Sequence, residues 1–326
     1  MLSFVHVCTI LFKIEHKRSA PMMHAGQQIA KGAIARAGMR WPKTTADMAF
    51  RVFPRIPRPR HSKPNHGMPD HMRPDTLQTA SGLVATWSLP SDAPAGRKAL
   101  LVHGWNSQSR HMLALAKALN DAGIDVVLLD LPGHGASSGR YLHLGRGIEA
   151  VDAAWRHHGP FDAFVGHSFG GAVALNAALG TAMCVPARRP QSLVLIAAPN
   201  SLPALFRGFG RMVGLPAPAQ AALERKVLTL LGQSLDLMIA SEQLKSYERP
   251  VLVLHDMDDR DVLYADALRM ARAGNHVELF TTSGLGHRRI LKSGEIHAAI
   301  RDHIAGPRLA AQEPVSCPRI LIGEGA

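Results

Sequence analysis

A serine, a histidine and a run of aspartates are spaced along this chain as acyl-transfer chemistry would need them. Gly166-His167-Ser168-Phe169-Gly170 closes an apolar segment that reads as a strand and opens one that reads as a helix. A serine at such a junction sits on a very tight turn that raises its hydroxyl above the sheet, and glycine flanks it because a Cβ there would strike neighbouring chain. A serine hydroxyl is a poor nucleophile at neutral pH. A neutral imidazole must take its proton as it attacks a carbonyl, and a carboxylate on the far ring nitrogen must fix the tautomer. Among eighteen histidines, His287 has the setting for that base. It ends Ser283-Gly-Leu-Gly-His287, a Gly-rich loop just past the last predicted strand. His103, His134 and His167 are its rivals. Candidates for the carboxylate crowd into His255-Asp256-Met257-Asp258-Asp259-Arg260-Asp261. The chemistry calls for no metal and no organic cofactor.

These residues need a scaffold that brings strand ends together. From residue 77 the chain reads as a hairpin (77–90, turning at Ser81-Gly82), then as apolar strands alternating with helices. The strands are expected at 100–104, 125–132, 161–167, 192–199, 251–255 and 277–282, and the helices at 109–123, 146–158, 170–182, 262–273 and 293–304. Such short, continuous apolar strands are those of a sheet covered on both faces. Repeated strand–helix alternation implies a doubly wound, mostly parallel sheet, whose chemistry lies beyond the strands' carboxyl ends. Between Pro199 and Pro250 no strand is expected. That stretch, helical and carrying Phe206, Phe209, Met212, Leu228, Leu231, Leu235 and Met238, reads as a helical lid over about 200–248, inserted between two late strands.

Four pieces in this order resemble the α/β-hydrolase family over about residues 76–305. They are His103-Gly104-Trp105 after a strand, Asp130-Leu-Pro-Gly-His-Gly-Ala-Ser137 after the next, the Gly-His-Ser-Phe-Gly-Gly elbow, and an acid then a histidine. The resemblance implies a serine hydrolase of the esterase or lipase kind. Family members read H-G-x-x-D-x-x-V near the acid. Matching His255 and Val262 puts the acid at Asp259, with Asp256 and Asp258 as rivals that would otherwise cap loops or face solvent. The resemblance also assigns the oxyanion donors to the backbone N–H groups of Trp105 and Phe169. Serine rather than aspartate at the elbow excludes the family's dehalogenase and epoxide-hydrolase chemistries. The expected reaction is hydrolysis of a carboxylic ester with a small or medium apolar acyl group, through an acyl-enzyme on Ser168. An acyltransferase or thioesterase using the same triad, and a ligand-binding protein with little turnover, are the alternatives.

The net charge of +12 is uneven. Residues 1–75 hold thirteen Lys and Arg against four Asp and Glu, and the other 251 residues are nearly balanced. Without aromatic–basic interleaving, this reads as a solvated basic leader and Pro/Arg-rich arm, partly disordered, and not as a nucleic-acid surface. Residues 25–53 have helical character. Cys8, Cys184 and Cys317 lack the spacing of a zinc or redox site. No apolar run reaches the ~20 residues of a membrane span. The expectation is therefore a cytoplasmic enzyme with a small-molecule ester substrate and a separate C-terminal tail at 306–326. Nothing in the sequence sets an oligomeric state.

Overall fold

Six parallel strands form the middle and one flank of an eight-stranded sheet, and an antiparallel hairpin completes the other flank. The computed structural model describes residues 21–52, 55–56, 67–182, 185–231 and 237–307. The hairpin is β1 (Arg73–Thr79) and β2 (Gly82–Leu89), and the parallel strands are β3 (Arg97–Val102), β4 (Ile124–Leu129), β5 (Ala163–His167), β6 (Ser192–Ile196), β7 (Val251–Asp256) and β8 (Val277–Thr282). Their order is β1-β2-β4-β3-β5-β6-β7-β8, with β2 antiparallel to both β1 and β4 and the remaining pairs parallel. Every residue of β5, β6 and β7 is buried, whereas the edge strand β8 exposes Glu278 and Thr281. The continuous apolar runs in the sequence thus mark the strands covered on both faces.

Helices follow the strands as expected: α3 (Leu113–Asp121) after a 3₁₀ turn at Ser109–Met112, α4 (Leu144–His158), α5 (Phe169–Leu179), α9 (Tyr264–Ala271) and α11 (Gly294–Ala305). One core layer joins α4 and α5 to the sheet through Ile148, Val151, Val173 and Phe164. The other sets α3 and α11 against it through Leu115, Leu119, Ile296 and Ile300. The hairpin turns one residue earlier than the sequence suggested, at Ala80-Ser81.

Between β6 and β7 lie α6 (Leu202–Val213), α7 (Ala217–Leu231) and the short α8 (Ala240–Leu244). Ser201 caps α6 by accepting from the Ala204 N–H at 3.2 Å, and Gly214, at φ +81°, ends it in the left-handed conformation. Of the apolar residues singled out in this interval, Leu228 is exposed, and Leu235 and the Leu231 side chain lie outside the description.

Within the stretch read as a leader, residues 21–40 and 42–52 are helical. Two helices, α1 (Pro21–Arg40) and α2 (Pro42–Val52), lie against the α6–α7 pair. Pro42 starts α2, where its missing N–H costs nothing. Thr45, Ala46 and Ala49 give α2 a face of small residues, which lets it sit closely on Phe209, Val213, Ala222 and Leu223. Asp47 pairs with Lys226 at 2.6 Å. The arm then docks through buried Ile56, whose N–H donates to the Arg140 carbonyl at 2.8 Å. The tail beyond residue 307 and all three cysteines lie outside the described residues. No helix among the described residues is long and apolar enough to cross a membrane.

Candidate active site

The carboxyl ends of β3, β4, β5, β7 and β8 all open on one edge of the sheet, and the sequence-predicted residues gather there. Ser168 joins β5 to α5 with φ +54° and ψ −125°, a strained conformation for a residue with a side chain. The turn holds because its N–H donates to the Ile196 carbonyl and its own carbonyl accepts from the Gly171 N–H, at 2.8 and 2.9 Å. Glycine at 166 is required by space. A Cβ there would lie 2.5 Å from the Gly170 carbonyl oxygen and from the Gly171 Cα.

Asp259 and His287 meet directly. The His287 Nδ1–H donates to Asp259 Oδ2 at 2.7 Å, the tautomer following because a carboxylate can only accept. The other carboxylate oxygen accepts from the N–H groups of Asp261 and Val262 at 2.8 and 3.0 Å. Burial pushes the Asp259 carboxyl up, but the His287 bond and these backbone donors outweigh it and hold it below the usual carboxylate range. With the proton on Nδ1, the lone pair of a neutral His287 ring lies on Nε2. Ser168 and His287 line the same cavity. No hydrogen bond joins the serine hydroxyl to the ring among the described residues, and such bonds often tighten only when substrate arrives.

The rival aspartates have other work. Asp256, fully buried at the end of β7, accepts four hydrogen bonds. Two come to Oδ1 from the N–H groups of Gly286 (2.9 Å) and Asp258 (3.0 Å), and two to Oδ2 from the Thr282 hydroxyl (2.7 Å) and the Leu285 N–H (3.0 Å). It therefore ties down the loop that carries His287. Asp258 is exposed and accepts from Ser283 Oγ and the Gly284 N–H. Within this loop Gly284 and Gly286 have φ of +80° and +64°, and a Cβ on either would meet nothing closer than 4.0 Å. They are needed for the turn of the backbone rather than for close approach to neighbouring chain.

The rival histidines are also structural. His167 Nε2–H donates to the His287 carbonyl at 2.8 Å, a second restraint on the base. His103 donates from Nδ1 to the Gly104 carbonyl and accepts the Leu131 N–H on Nε2. His134 donates to the Pro132 carbonyl and accepts the Asn106 N–H. Burial makes protonation of all three unfavourable, and pushes His103 down to about 4 and His134 and His167 to about 3. His287 and His103 add repulsion at His167 and His134 respectively.

Trp105 and Phe169, the expected oxyanion donors, stand on either side of the serine. The Phe169 N–H is the first of α5 and has no acceptor within its helix. The two rings meet edge to face with centroids 5.4 Å apart, which fixes the loop after β3 against the elbow. Gly104 permits this approach, since a Cβ there would fall 2.9 Å from that of Ser168.

The cavity has a volume of about 1010 Å³. Phe206, Phe209, Met212 and Met238 line it from the α6–α8 segment, and Phe50 lines it from α2, which the sequence reading missed. Two signals were available, the aromatic in a helical N-terminal stretch and its continuity with Ala46 and Ala49, but neither indicates what the helix packs on.

A family model described as alpha/beta hydrolase family matches residues 99–299. Many solved structures share the architecture. The esterase Est1E from Butyrivibrio proteoclasticus, solved with ferulic acid bound, aligns with a TM-score of 0.57 at 18% identity, over 71% of this chain and 100% of its own. The Pyrococcus furiosus esterase Pf2001 aligns at 0.55 and 17%, over 77% and 96%. The Exiguobacterium antarcticum esterase aligns at 0.54 and 14%, over 72% and 100%. At these identities the likeness is one of fold. No curated protein matches the sequence.

Proposed function

This chain belongs to the alpha/beta hydrolase family, and from that membership we propose that it is a serine esterase cleaving carboxylic esters with small or medium apolar acyl groups. The observation that carries the reading is the 2.7 Å bond from buried Asp259 to His287, which lines the same cavity as a strained Ser168. In this mechanism Ser168 Oγ attacks the ester carbonyl carbon as His287 Nε2 takes its proton, and Asp259 stabilises the imidazolium. The N–H groups of Phe169 and Trp105 receive the tetrahedral oxyanion, a contribution worth ~10²–10³ in turnover per donor. Collapse expels the alcohol, which leaves with the proton from His287. Water then attacks the acyl-enzyme, with His287 again as base. The aromatic and thioether side chains from α6, the segment before α8, and α2 favour an apolar acyl chain.

Labelling with a fluorophosphonate probe tests the reading, because the probe bonds only to a serine already activated by its base and oxyanion donors. Wild type is expected to label and Ser168→Ala not to, with matching gain and loss of p-nitrophenyl ester hydrolysis. If wild type does not label, the triad is not assembled and the protein binds its ligand without turning it over.

A further inference from the structure

The cavity beside Ser168 is not apolar throughout. Arg110, Arg260, Arg288 and Lys292 also line it, all four exposed at its mouth. They come from the turn after β3, the loop after β7 and the turns after His287, so three distant parts of the sequence converge. Arg110, Arg288 and Lys292 act on one spot. The proton affinity of His111, lowered first by burial, is lowered further by each of the three. None of the four pairs with a carboxylate among the described residues, and Asp261 is the one acid among those lining the cavity. Some cations elsewhere on this surface are paired, Arg188 with Asp152, Arg269 with Asp266 and Lys226 with Asp47. An unneutralised rim of positive charge at a concave mouth focuses its field on whatever enters. Guanidinium groups in particular present a planar fork that matches phosphate and carboxylate oxygens.

We propose that this rim is an anion subsite, so that the substrate is an ester or thioester whose leaving group carries a phosphate or carboxylate. The acyl chain lies along Phe50, Phe206, Phe209 and Met212, and the anionic end of the leaving group meets Arg110, Arg288 and Lys292. The inference rests on the serine-hydrolase reading and adds the chemical class of the alcohol or thiol.

The test uses three aryl hexanoates that differ only in the para substituent of the leaving group: phosphate, carboxylate, or neutral carboxamide. Each kcat/KM is divided by the ester's rate with hydroxide, which removes intrinsic reactivity. At low ionic strength the anionic esters are expected to be preferred on the order of 10-fold, through KM. The preference should shrink as salt brings the Debye length to about 8 Å near 0.15 M. The ranking of phosphate against carboxylate identifies the source of the charge. In the double variant Arg288→Gln/Lys292→Gln the ratio should fall toward one. Equal use of the neutral ester, or a preference that survives the double variant, overturns the proposal. Should none of the three be hydrolysed, protection of Ser168 from a neutral fluorophosphonate decides. Protection by phenyl phosphate or benzoate but not benzamide supports the subsite, and equal behaviour of all three overturns it. A wild type that does not label at all removes the hydrolase reading, and this substrate class with it.

Discussion

Replacing Asp256 by asparagine changes one atom, and its consequences can be worked out bond by bond. The carboxylate accepts four hydrogen bonds, two on each oxygen, and three of the donors are backbone N–H groups. An amide keeps one acceptor oxygen. If its NH₂ takes the place of Oδ1, it faces the N–H groups of Gly286 and Asp258. If it takes the place of Oδ2, the Thr282 hydroxyl can rotate and accept, but the Leu285 N–H is stranded. In the better orientation one buried donor has no partner and the remaining bonds have lost their charge. Bonds to a charged acceptor contribute about 1.5–3 kcal/mol, and a stranded buried donor costs about 1–3 kcal/mol, so holding the native loop would cost roughly 3–5 kcal/mol. The loop relaxes instead, and His287 follows Gly286 directly. A displacement of about 1 Å in a reacting group can cost ~10²-fold in rate. Asp256→Asn is therefore expected to lower fluorophosphonate labelling and kcat/KM by about 10²-fold or more and to lower Tm by about 5 °C or more. Thr282→Val, which removes one bond and no charge, should cost less than about tenfold. Asp259→Asn should leave Tm near wild type while turnover drops by about 10⁴, as expected for a lost tautomer restraint. Labelling of Asp256→Asn at the wild-type rate refutes the loop argument. Loss of activity in Asp256→Asn at unchanged Tm, with Asp259→Asn active, means that the two carboxylates exchange roles.

Two further outcomes follow from packing and burial. Phe50→Ala should widen the cavity where α2 meets it, shifting the preferred p-nitrophenyl ester toward longer acyl chains; an unchanged chain-length profile would show that Phe50 does not touch the acyl group. Acid should destabilise the fold through its buried neutral histidines. His103, His134 and His167 have folded pKa values of about 4, about 3 and about 3, below the roughly 6.5 of an unfolded histidine. The unfolded chain therefore binds more protons between those values. The contribution is fully present above about pH 6.5 and is lost as pH falls toward 4, at up to about 2 kcal/mol per histidine by pH 5. Urea midpoints at pH 7.5 and 5.0, at constant ionic strength, check this, and equal midpoints contradict it.

How much of this was legible depended on whether a residue's role is local. The sheet could be read because β5, β6 and β7 are buried along their whole length and so appear as unbroken apolar runs. The elbow could be read because Gly166, Ser168 and Gly170 stand close together in sequence, although Gly170 and Gly171 answer to distant chain, the carbonyls of Val102 and His103 and the side chain of Ala198. The choice among aspartates could not be made from residue type, since Asp256, Asp258 and Asp259 are separated by the direction in which each carboxylate finds donors. The docking of α2 left only a short stripe, Ala46, Ala49 and Phe50, with nothing in it to say what it meets. Its buried face is Thr45, Ala46 and Ala49, whose virtue is small size. The cationic rim was hidden by averaging, because residue 110, residue 260 and the pair 288 and 292 lie far apart in a segment whose total charge is nearly balanced.

Phe50 lies some fifty residues before the stretch that matches the family model, yet it lines the cavity beside the serine. Part of the cavity wall is therefore built from chain that lies outside the stretch matching the family model. A substitution there is expected to reshape the cavity without altering Ser168, Asp259 or His287.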